Sequence, residues 1–70
     1  MPFQTELVDW LICVEAEYRE TPGLQLTERQ MQRLWGLDCG TCAAIVRTLV
    51  ARGVLWETPT HRYVLAANAR

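Results

Sequence analysis

TERQMQRLWGLDCGTCAAIVRTLVARG, residues 27–53, is the stretch whose reading decides the fold, because its caps and breakers mark out two short helices in succession. Thr27 is placed to accept from the backbone N–H three residues on and Gln30 to reach back, a Thr-x-x-Gln capping box, with Leu26 and Met31 as the flanking hydrophobic staple. Met31, Leu34 and Trp35 recur at i, i+3 and i+4, and Gly36 stands where a left-handed residue ends a helix. Leu37 spans the turn. Asp38 is the next N-cap, and Cys42, Ile45, Val46, Leu49 and Val50 keep helical spacing until Gly53 closes the second helix. A three-residue connection containing a glycine turns two such helices sharply against each other.

Toward the N-terminus, Thr5 is placed to cap a helix running to about Glu20. Leu7, Trp10, Leu11, Val14 and Tyr18 form its apolar stripe, and Val8 and Ile12 widen the band beyond what one small core takes up. Phe3 and the C-terminal tail, or a second chain, are the candidates to cover the excess. Thr21-Pro22-Gly23 breaks this helix, and Leu24-Gln25-Leu26 alternates apolar and polar, enough for a three-residue strand.

Beyond Gly53 lies the partner for that strand. A four-residue loop from Thr58 to His61 would set Glu57 opposite Arg62, Trp56 opposite Tyr63, Leu55 opposite Val64 and Val54 opposite Leu65, with the aromatic pair facing the helices. Ala66 to Arg70 shows no pattern and is expected to fray. The expectation is an α+β, mainly α fold in one domain over residues 1–70: three helices, a short strand between the first two, and a C-terminal two-stranded hairpin.

Seventy residues, half of them apolar, suffice for one small core. No apolar run reaches the length needed to span a bilayer, and no basic segment leads into an apolar stretch with a cleavage site, so a soluble, cytoplasmic protein without membrane association is expected. The net charge of −1 hides an asymmetry. Residues 1–28 carry six acidic side chains against Arg19 alone, a net of −5; residues 29–70 carry six arginines against Asp38 and Glu57, a net of +4. An acidic back and a basic front let a nearly neutral protein present a phosphate-attracting face. Solvated helix faces of no further meaning are the plainer alternative.

Cys39-Gly40-Thr41-Cys42 has CxxC spacing at a helix start, but no βαβ unit surrounds it and Cys42 falls on the apolar stripe, so a buried Cys42 and a partly exposed Cys39 are expected. Adding Cys13 and His61 makes only a nominal zinc set, since nothing in the spacing brings the four together, and three cysteines do not make a disulfide framework. No metal and no cofactor is expected. His61, the sole histidine, reads as a loop residue without a nucleophile or carboxylate at catalytic spacing, so an enzyme is not expected. Trp10, Trp35 and Trp56 fall at core-facing positions of this layout rather than on a stacking platform for single strands.

The order of elements is that of winged-helix domains, and the sequence resembles that superfamily over nearly its whole length. The segments PGLQLT (22–27), QMQRLWGLD (30–38), CAAIVRTLVARGVL (42–55) and LWETPTHRYVL (55–65) carry the likeness. The ending made by Ile45, Leu49, Val50, Gly53, Val54 and Leu55 looks like the junction of recognition helix and wing in many small bacterial regulators. The resemblance implies a helix-turn-helix whose second helix, about residues 38–52, lies in the major groove of double-stranded DNA while the wing reaches flanking backbone. Its outward positions are Gly40, Thr41, Ala44, Arg47, Thr48 and Ala51. Arg47 is the long polar reader among them; Thr41 and Thr48 would hydrogen-bond to phosphate or base, and Ala44 would permit close approach. Arg29 and Arg33 on the preceding helix, and His61 and Arg62 near the wing tip, would meet phosphates. The expected function is a DNA-binding module of transcription regulation. The alternative is a winged helix that serves homodimerisation or protein assembly through its first helix, with little DNA binding of its own.

Overall fold

A computed structural model describes residues 7–68 of the chain and shows a small, mainly helical α+β fold. Helix α1 spans Leu7–Glu20, α2 Glu28–Trp35 and α3 Cys39–Ala51; strands β1, Leu55–Glu57, and β2, Tyr63–Leu65, form an antiparallel pair. The Thr5 cap and the covering role of Phe3 fall outside the described residues.

The helix ends follow from local chemistry. Thr27 Oγ1 accepts from Gln30 N–H at 3.1 Å while Gln30 Oε1 accepts from Thr27 N–H at 2.9 Å, both halves of the capping box. Gly36, at φ 65°, stops α2, and the N–H groups of Gly36 and Leu37 both donate to the Gln32 carbonyl. Asp38 caps α3 by accepting from Thr41 N–H at 3.0 Å. At the far end, Gly53 N–H bonds Val50 O at 3.0 Å and Val54 N–H bonds Leu49 O at 2.9 Å, with Gly53 at φ 79°, which is a Schellman closure. The axes of α2 and α3 turn through 116° at their three-residue connection.

Helix α3 is the centre of packing and touches α1, α2 and β1. Its Cys42, Ile45, Val46 and Leu49 are buried at i, i+3, i+4 and i+7, against Leu11, Val14 and Tyr18 of α1 and Met31 of α2. Three helical residues expected in the core point outward instead: Leu7 and, near the end of α3, Val50 are exposed, and Leu34 is 58% exposed because the eight-residue α2 offers the core little more than Met31, with Trp35 half-buried.

The hairpin register differs from expectation by one residue. Leu55 pairs with Leu65, Trp56 with Val64 and Glu57 with Tyr63. The cause is the loop. His61 takes a left-handed φ of 63°, its N–H bonds Thr58 O at 2.9 Å, and Thr58 N–H bonds Arg62 O at 2.7 Å, so Thr58 pairs with Arg62 and three residues bridge the strands. A one-residue slip exchanges the faces of a strand. Leu55 therefore turns into the core with Tyr63, and Trp56, expected inside, is 43% exposed. Trp10 and Trp35 do pack against the core.

The expected strand at 24–26 is reduced to one bridge, Leu26 with Tyr63, through Tyr63 N–H to Leu26 O at 2.7 Å and Leu26 N–H to Tyr63 O at 3.3 Å. The Tyr63 carbonyl accepts a second bond, from the buried Tyr18 phenol at 2.8 Å. Of the tail expected to fray, Ala66–Asn68 wind into a turn of 3-10 helix, tied by Ala66 N–H to Val54 O at 2.9 Å, and residues 69–70 fall outside the described ones.

The loop geometry implies that His61→Val, which puts a β-branched residue at positive φ, destabilises the domain by about 1 kcal/mol while His61→Gly does not, a contrast read from urea denaturation midpoints. The chain's two tyrosines both donate from their phenols. Burial raises Tyr18 above the ordinary range, and burial together with the charges of Glu57 and Glu28 pushes Tyr63 up to about 12. Unfolded phenols ionise near pH ~10 while the folded ones keep their protons, so stability is whole below that value and declines from there as pH rises through the folded values. Near-ultraviolet phenolate absorbance of the folded protein should stay flat through pH ~10, and the urea-unfolded chain should titrate there.

Candidate nucleic-acid interface

The cap that starts α3 also sets the chemistry of its exposed end. Asp38 Oδ2 holds Thr41 N–H and Oδ1 accepts from the Thr41 hydroxyl at 2.6 Å. These bonds, the hydroxyl's first, hold the Asp38 carboxyl below the usual aspartate range. The chain's own carboxylate therefore sits where a helix start would otherwise attract an anion. Two turns on, the Thr48 hydroxyl donates to Ala44 O at 2.8 Å. The protons that Thr41 and Thr48 were expected to offer a phosphate are thus already engaged within the helix, and Ala44 is half-buried. Arg47 is exposed and makes no ion pair.

The other expected cations lie on neighbouring elements. Arg29 and Arg33 are exposed on α2 and Arg62 is exposed beside β2; Arg52, not among the expected site residues, is exposed at the end of α3. His61 is tied, with Nδ1 3.0 Å from Glu57 Oε2. Among the described residues the arginine ion pair is Arg19 with Glu15, on α1. The five described arginines beyond α1 make no ion pair among the described residues, whereas Asp9, Glu15, Glu17 and Glu20 stand on α1 itself. The charge asymmetry along the chain is therefore also one between elements.

Two carboxylates stand among these arginine-bearing elements. A groove of about 330 Å³ runs between the start of α2, α3 and the hairpin, and Glu28 and Glu57 line it together with Arg47, Val46, Val50, Ala51 and Tyr63. The Tyr63 phenol donates to Glu28 Oε2 at 3.3 Å. Sequence reasoning missed this pairing of acids, because the expected register set Glu57 against Arg62 and Glu28 was counted with the acidic N-terminal part of the chain. A second, shallower cavity is formed by Leu26, Gln30, Arg33 and Leu34.

Elsewhere the chemistry is plain. Cys42 is buried, its thiol pointing at Glu28 O at 3.6 Å, and burial, then the charges of Glu28, Asp38 and Cys39, raise it, opposite to an activated redox thiol. Cys13 and Cys39 are exposed and free. Among the described residues no group of three or more His, Cys, Asp and Glu side chains is placed to hold a metal ion, and no single helix is long and apolar enough to cross a membrane. On α1, Val8 and Ile12 face solvent, Ile12 at 64% exposure.

Comparison with protein-family models gave no match, and searches of curated proteins and of solved structures gave none either.

Because the Asp38 carboxyl ionises more readily in the folded state, its contribution is present above the ordinary aspartate range, about pH 4, and is lost as pH falls through its lower folded value. Asp38→Asn, which keeps a capping acceptor but cannot titrate, should flatten the acid limb of the stability–pH curve; an unchanged limb would show that the cap does not shape it.

Proposed function

We propose that the chain is a winged-helix module that binds double-stranded DNA in transcription regulation, with α3 entering the major groove and the β1–β2 hairpin acting as the wing. The observation that carries this is the set of exposed arginines that make no ion pair among the described residues, Arg29, Arg33, Arg47, Arg52 and Arg62, on α2, α3 and the segments after it, opposite in sign to α1. The 116° turn between α2 and α3 supports it, since that angle lets a second helix project while the first crosses behind it. Arg47 would contact base or phosphate from the centre of α3. Arg29, Arg33 and Arg62 would meet backbone on either side. Thr41 and Thr48 contribute as acceptors and by their small size, their protons being committed within the helix.

A second role is favoured by the exposed Val8 and Ile12 on α1, which give a winged helix an apolar face for assembly with a second copy or a protein partner. Because that face lies on a different element from the arginines, the two roles are compatible.

Titration of the labelled protein with a mixed-sequence duplex should move amide resonances of Thr41, Ala44, Arg47, Thr48 and residues 58–62, with affinity falling steeply as salt is added. Arg47→Ala should weaken binding and reduce the log–log salt slope by about 1, with folding stability kept within about 0.5 kcal/mol. An unchanged slope and affinity would remove α3 from the interface.

A further inference from the structure

The groove between α2, α3 and the hairpin holds an arrangement that simple phosphate attraction leaves unexplained. Arg47, the one cation at the centre of the exposed face of α3, shares it with Glu28 and Glu57 yet pairs with neither. Glu28 is held instead by the Tyr63 phenol at 3.3 Å, and Glu57 by His61 Nδ1 at 3.0 Å. Their hydrogen bonds fix both carboxylates beside Arg47 while leaving its guanidinium free. Both glutamates line the groove together with Tyr63. A phosphate brought to Arg47 enters their field.

We propose that Glu28 and Glu57 are specificity-determining residues that set the local field against the phosphate backbone at Arg47, so that sequence-independent attraction is suppressed and only a duplex offering base contacts to α3 is retained; this rests on the DNA-binding role proposed above. Backbone attraction supplies nearly all non-specific binding, so a repulsive element placed at the reading residue discriminates against non-target DNA. At roughly 7 Å and an effective dielectric of about 40, one carboxylate lowers the affinity for a phosphate by about five- to tenfold at low salt, and added salt erodes the effect.

The test is fluorescence anisotropy with a labelled mixed-sequence duplex at low salt, comparing the parent with Glu57→Gln, Glu28→Gln/Glu57→Gln and Glu17→Gln. Glutamine keeps size and acceptor, and Glu17 is an exposed α1 residue outside the groove lining that supplies the same change in net charge. Glu57→Gln should bind about five- to tenfold tighter and the double variant tighter still, Glu17→Gln less than about twofold, with the gain shrinking as salt rises. Equal gains from Glu17→Gln and Glu57→Gln would reduce the effect to net charge and overturn the proposal. So would the absence of a gain from Glu57→Gln in a protein whose binding still depends on Arg47, an outcome that leaves the DNA-binding role standing. If the double variant binds no duplex, or binds one that Arg47→Ala does not weaken, the DNA-binding role itself falls and the screening role with it. Glu57 is exposed on the hairpin, so its single variant reads the effect even if the Glu28 change disturbs α2.

Discussion

The structure depends on how much of it is tied through the backbone of one residue, Tyr63. Its N–H and carbonyl pair with Leu26, the same carbonyl accepts the Tyr18 phenol from α1, and its own phenol reaches Glu28 at the start of α2. Four elements therefore meet at a single position in a short strand. A three-residue strand pair adds little stability by itself, and packing against helices must supply the rest. Here Leu55 and Tyr63 supply that packing, while the Tyr18 bond satisfies a phenol that burial would otherwise leave costly.

The helices were legible because their ends are written in local chemistry. The capping box at Thr27 and Gln30, the left-handed Gly36, the Asp38 cap and the closure at Gly53 all act within a few residues, so sequence neighbours decide them. The hairpin was less legible because its register turns on the backbone of His61. A glycine there would have announced a left-handed position; histidine adopts it less often and gives no such notice. One residue of slip then moved Leu55 inward and Trp56 outward. Leu34 was misread for a different reason, since helical periodicity identifies a face without revealing how much of it a short helix buries.

The candidate site divides along the same line. That Arg29, Arg33, Arg47 and Arg62 stand exposed follows from charge and periodicity alone. That Thr41 and Thr48 have spent their protons on Asp38 and Ala44, and that Glu28 and Glu57 share a groove with Arg47, depends on side-chain geometry and on the register of the hairpin. Sequence pattern locates charges on elements. Which opposite charges become neighbours is decided by packing.

Apart from the phenols of Tyr18 and Tyr63 and the Cys42 thiol, no charged or polar side chain is buried among the described residues, and none of their buried side-chain nitrogen or oxygen atoms lacks a hydrogen-bond partner. Fold and surface charge are consequently carried by nearly disjoint sets of side chains. Substitutions of the exposed arginines should combine almost additively with substitutions in the core, because they share few direct contacts. Such a scaffold allows its outer face to diverge toward different partners while the arrangement beneath it stays the same.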